Sequence, residues 1–115
     1  MSLTNHTTNT PIATHLRIAN TFASRLIGLL GKKSLPKNHA LLITPSTGVH
    51  TFFMRFPIDV IALDKQNKVL SLHPNVKPWR VAAINRRTHS VIELPANTLA
   101  QTPVNKGDQL HFATL

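Results

Sequence analysis

The chain contains no cysteine, no tyrosine, a single tryptophan and only four acidic residues among 115. Without cysteine there is no disulfide framework, no thiolate nucleophile and no thiolate zinc site. No apolar run reaches the length of about 18 residues that a membrane helix needs. The N-terminal MSLTNHTTNTP is polar and lacks the charged-then-apolar order of a secretory leader, so a cytoplasmic location is expected. The shortage of acids leaves thirteen Lys and Arg almost unopposed, for a formal net charge of +9. Such an excess favours polyanions. The bases form no tract longer than Lys32-Lys33 or Arg86-Arg87, and five Phe with one Trp make a poor stacking platform. Any nucleic-acid contact is therefore expected to be non-specific and charge-driven.

What is present reads as one domain. Residues 1 to 11 look like a flexible tail, with little that is apolar to bury. Residues 12 to 115 form the single globular unit. Ile12, Leu16 and Ile18 follow a strand pattern. Phe22, Leu26, Leu29 and Leu30 then fall on one helical stripe, capped by Asn20 or Thr21 and closed by Gly31. From residue 40 onward short strands follow one another: ALLIT, GVHTFFMR, IDVIAL, KVLSLH, WRVAAI, SVIELP and a closing VNKGDQLHF. DKQN and Lys106-Gly107-Asp108 are turns, and ANTLAQT can supply one helical turn. The predicted fold is mainly β with one α-helix. It is a small partly closed barrel or curled sheet of short strands, with the amphipathic helix packed on it and no βαβ units.

Five segments in this order, RLIGLLGKKSLP, HTFFMRFPIDVIALD, KPWRV, VIELPA and KGDQL, resemble domain-of-unknown-function family 192. This is an uncharacterised family of small bacterial and archaeal proteins, and the resemblance covers roughly residues 12 to 112. It implies a compact, mostly β domain with one helix and no established activity. Family members often carry a Pro-Cys pair before the HTF segment; here the pair is Pro45-Ser46, so a thiol role there is lost. They also commonly have Gly after ELPA, where this chain has Asn97. Asn tolerates positive φ better than other non-glycine residues, so the turn is expected to survive.

The stretch His50 to Asp64 is dense enough in apolar residues to be core, yet it carries His50, Arg55 and Asp59. His50 fits a general base or a metal ligand, or a histidine satisfied by a backbone carbonyl at a strand end. Arg55 and Asp59 flank Pro57. They either neutralise one another or act as a clamp and its orienting base. Trp79-Arg80 follows Pro78 between loops. Its indole either stacks on a sugar or a base or plugs the open end of a barrel. Glu93 sits among apolar neighbours and should need a cation, with Arg25, Arg55 and Arg80 as candidates. Asp64 and Asp108 have turn roles. No HxH, HxxxH or HExxH spacing, P-loop or serine elbow is present, so neither metal nor cofactor is implied.

These residues favour a binding or accessory module with a basic cleft. His50, Arg55, Asp59, Trp79, Arg80 and Glu93 would line it around a small anionic or polar ligand. One alternative is a small hydrolase or lyase using His50 with Asp59 or Glu93. Another is a charge-driven nucleic-acid accessory protein.

Overall fold

A computed structural model describes residues 1–113. Ten strands form three sheets. β1 (Ser2–Asn5) lies between β10 (Leu110–Ala113) and β2 (Thr10–Ala13). The largest sheet has the order β3-β4-β9-β6-β7, with β3 His15–Ala19, β4 His39–Ile43, β9 Ser90–Pro95, β6 Ile58–Leu63 and β7 Val69–Val76. β5 (Val49–His50) and β8 (Val81–Ala82) make a small ribbon. The sheets are mainly β, short-stranded and curled, and they do not close into a barrel. Among the described residues there are also two short helices, α1 (Phe22–Ile27) and α2 (Thr98–Gln101).

The N-terminal segment is not a tail. Leu3 and Asn5 are fully buried, and β1 pairs with β10 in the register Leu3↔Phe112 and Asn5↔Leu110. Asn5 Nδ2 donates to Asp108 Oδ2 at 2.8 Å, so a polar residue becomes affordable in the interior. The partner strand is more than a hundred positions away, beyond the reach of any local pattern. A second difference is that β3 and β4 run parallel, with His15↔His39 and Arg17↔Leu41 as partners. The chain between them, including α1, is therefore a βαβ crossover, which the strand spacing did not suggest.

The central strands β6 and β9 are buried on both faces, and they divide the interior in two. Leu3, Ile12, Leu42, Ile61 and Leu94 pack on one face of the sheet. Leu41, Ile43, Ile58, Val60 and Val91 pack on the other. Across β6 and β9 the register is Asp59↔Leu94 and Val60↔Glu93. Since alternate residues point to opposite faces, Asp59 goes to the first core and Glu93 to the second.

α1 is shorter than its apolar stripe predicts. Thr21 caps it through a reciprocal pair with Ser24, and Gly28 at φ 49° ends it before Leu29. None of its residues is buried; Phe22 is 76% and Leu26 64% exposed. Leu29, beyond the helix, reaches the core, and Leu30 packs against it. The helix thus stands clear of the core and borders a cavity.

Candidate functional site

The cavity beside α1 has a volume of about 360 Å³ and opens to solvent. Phe22, Leu26 and Leu29 form one wall. Ile43 and the segment Pro45–His50 form the other, with Met54 and Glu93 also lining it. Gly48 makes this wall possible. A Cβ there would stand 2.6 Å from Ile84 Cγ1 and 2.9 Å from its Cα, so only glycine allows the two segments to cross this closely.

Glu93 is the one acid that lines the cavity. β9 carries it into the middle of the sheet, where it is 4% exposed, and its Oε2 has no hydrogen-bond partner. Burial pushes its carboxyl from the ordinary 4.5 up to about 7. A paired cation would oppose that rise, and burial is the sole cause. Arg25 lines the same cavity without neutralising Glu93. The expectation that a cation must sit against Glu93 is therefore corrected: the group meets the cost of burial by keeping its proton to about pH 7.

The other three acids are satisfied by amide N–H groups. Asp59 is fully buried; its Oδ1 accepts from the Asn75 amide and its Oδ2 from the Leu99 amide, each at 2.8 Å. The second bond caps α2, whose own N-cap residue, Asn97, makes no side-chain cap bond. Asp64 Oδ1 accepts from the Gln66 and Lys68 amides, and Asp108 Oδ2 from the Asn105 amide and Asn5. Both turn assignments agree with the sequence, and Asn97 has the positive φ, 74°, expected of a glycine replacement.

Of the six residues expected to share a cleft, His50 and Glu93 line this cavity. His50 is exposed, and its Nδ1 accepts from the Phe52 amide at 3.3 Å, which leaves Nε2 to carry the proton of the neutral ring. Ser46 also lines the cavity, but its hydroxyl donates to the Gly48 carbonyl at 2.7 Å and is not held by His50. Asp59 lies on the opposite face of the sheet. Arg55 is exposed on the loop before β6, remote from any role as the partner of Asp59, whose oxygens accept the two amides. Arg80 is exposed and donates to the Pro78 carbonyl of its own loop at 3.4 Å. Trp79 is 55% exposed and meets Phe53 edge-on at 4.6 Å between ring centres.

Thr51, unmarked in the sequence, holds the Trp79 loop in place. It is fully buried; its hydroxyl donates to the Lys77 carbonyl at 2.6 Å and accepts from the Arg80 amide at 2.9 Å. Its amide donates to the Arg80 carbonyl, and its own carbonyl accepts from the Trp79 amide. These bonds hold Trp79 at φ 67°, and the Met54 amide, donating to the same Thr51 carbonyl at 3.2 Å, closes the turn that holds Phe53 at φ 66°; such positions cost bulky residues roughly 1–3 kcal/mol each. Thr51→Val keeps the shape and removes the hydroxyl. It is expected to lower stability by about 1–3 kcal/mol and to move Trp79 emission toward that of a free indole. Urea unfolding and fluorescence check both; unchanged values in the two would show that Thr51 is not the clamp.

A family model described as "Uncharacterized ACR" matches residues 3–112. An UPF0127 protein from Pyrococcus horikoshii is 33% identical over 104 residues, covering 86% of this chain and 88% of that one. An UPF0127 protein from Pyrococcus furiosus is 31% identical over 113 residues, covering 94% and 95% respectively. The crystal structure of a protein of unknown function from Novosphingobium aromaticivorans superposes with a TM-score of 0.77 at 19% identity, over 96% of this chain and 82% of that one. That likeness shows a shared fold.

Proposed function

The chain belongs to domain-of-unknown-function family 192, and from the cavity beside α1 we propose that it is a binding module for a small, mainly apolar molecule with one neutral polar group. The observation that carries this reading is Glu93: a buried carboxyl, without a partner at Oε2, lining an open cavity. An unsatisfied buried polar group costs about 1–3 kcal/mol, and a ligand that supplies its partner recovers that cost on binding. Leu26, Ile43 and Met54 offer an apolar surround. The volume of about 360 Å³ suits a compact molecule. A hydroxyl or amide meets the protonated carboxyl directly. An anion would be repelled once the carboxyl ionises near pH 7, and a cation would have to approach a chain of net charge +9. Of the small anionic or polar ligand that the composition suggests, the polar half is favoured.

Saturation-transfer NMR with a panel of small alcohols, amides and amines tests this at pH 6 and pH 8. Neutral amides and alcohols should bind, more weakly at pH 8, where Glu93 has lost its proton. Glu93→Leu should abolish the signal. Binding by amines that strengthens at pH 8 would contradict the ligand class. Hits that bind Glu93→Leu equally well, or no hits at all, would remove the site.

The catalytic alternative rests on one observation, that His50 and Glu93 line the same cavity. Asp59 has no part in it, being committed to two amides on the far face. The Ser46 hydroxyl, held by a carbonyl, is not activated as a nucleophile.

A further inference from the structure

The loops that follow β5 and flank β8 display a second surface, distinct from the Glu93 cavity. Phe53 is 71%, Trp79 55%, Val81 52% and Ile84 69% exposed. Phe52 stacks on Trp79 at 5.9 Å, and Phe53 meets it edge-on at 4.6 Å, so the rings form one outward-facing knob. Phe53 and Trp79 both have left-handed backbone conformations, held there by Thr51. Local sterics oppose that conformation for bulky side chains. The same loops carry Arg55, Lys77, Arg80, Arg86 and Arg87, all exposed. Residues 44–58 and 77–89 contain no aspartate or glutamate, so nothing acidic in these segments offsets the five cations.

We propose that this knob docks the protein on an anionic phospholipid surface. Exposed aromatics set among cations match the two layers of such a surface. Indole and phenyl rings favour the boundary between headgroup and acyl chain, and guanidinium and ammonium groups favour the anionic headgroups. Val81 and Ile84 gain from acyl contact and have no ring face on which a base could stack. The rings of Phe52, Phe53 and Trp79 already cover part of one another, which further disfavours single-stranded nucleic acid as the occupant. The contact would be peripheral: among the described residues no helix is long and apolar enough to cross a membrane.

Trp79 is the only tryptophan, so its emission reports this surface alone. The intact protein should be titrated at about 100 mM salt, a Debye length of ~10 Å, with phosphatidylcholine vesicles and with mixed phosphatidylcholine–phosphatidylglycerol vesicles. The mixed vesicles should shift Trp79 emission to the blue in a saturable way, and pure phosphatidylcholine should not. Phe53→Ser and the double change R86E/R87E should each weaken the vesicle affinity about tenfold or more, with thermal unfolding unchanged. No blue shift with the mixed vesicles would overturn the proposal. So would co-sedimentation without a shift, which would put the contact on another face. Quenching of Trp79 by a single-stranded oligonucleotide, with vesicles inert, would assign the surface to nucleic acid instead.

Discussion

Glu93→Gln should be more stable than the natural protein at pH 8 and equal to it at pH 4. The folded chain keeps the Glu93 proton to about pH 7, whereas the unfolded chain releases it near 4.5. Between those values the folded state binds more protons, so stability falls as pH rises and levels off above about 7. The gap corresponds to about 3 kcal/mol. Glutamine has the same size and cannot ionise, so the variant avoids this loss. At pH 4 both side chains are neutral, and both leave polar atoms unpaired. Urea unfolding at pH 4, 6 and 8 measures the difference, and subtracting the two proteins cancels the histidines that titrate in both. A difference that stays constant with pH would mean that Glu93 ionises normally. The sign is informative in itself: a residue whose replacement stabilises the fold is not there for the fold's sake.

Asp59 predicts the reverse. Asp59→Ala removes the buried acceptor from two amides, those of Asn75 and Leu99, and leaves both part-buried donors without it. Bonds to a carboxylate are worth about 1.5–3 kcal/mol each, so a loss of roughly 3–5 kcal/mol is expected. That is a large fraction of the roughly 5–15 kcal/mol that holds a domain together. Asp59→Asn should fall between, since one amide would then face an N–H group. Chemical unfolding decides this, and an Asp59→Ala protein within about 1 kcal/mol of the natural one would refute the structural role. The contrast separates the two carboxylates: Asp59 holds β7 and α2 against β6, whereas Glu93 holds nothing in place.

That division was not legible in the residues themselves. IDVIAL and SVIELP both read correctly as strands because each is a short apolar run. The same property hides their faces. A strand buried on both sides shows no alternation, so the direction of Asp59 or Glu93 depends on registers with distant strands. The turn acids were legible because their partners are local: Asp64 accepts from amides two and four residues on, and Asp108 from one three residues back. Leu3 and Asn5 became core through pairing with Leu110–Ala113, and no window of sequence contains both. Thr51 left no signal, for a threonine in an apolar run has many meanings. Phe52-Phe53 misled, for GVHTFFMR is apolar on both faces and fits a central strand, whereas the observed strand is Val49–His50 alone. Neighbouring residues of a strand point to opposite faces, and the pair instead lies in a loop, where both rings reach Trp79.

At the cavity stands Glu93, an acid that burial keeps protonated to about pH 7 and that lacks a partner at Oε2. Selective ¹³C labelling of glutamate gives a single carboxyl resonance to follow, since Glu93 is the only glutamate in the chain. Its titration in the folded protein should have a midpoint near 7, and a bound neutral amide should move that midpoint upward. A midpoint near 4.5, the value of a solvated or paired glutamate, would contradict the account.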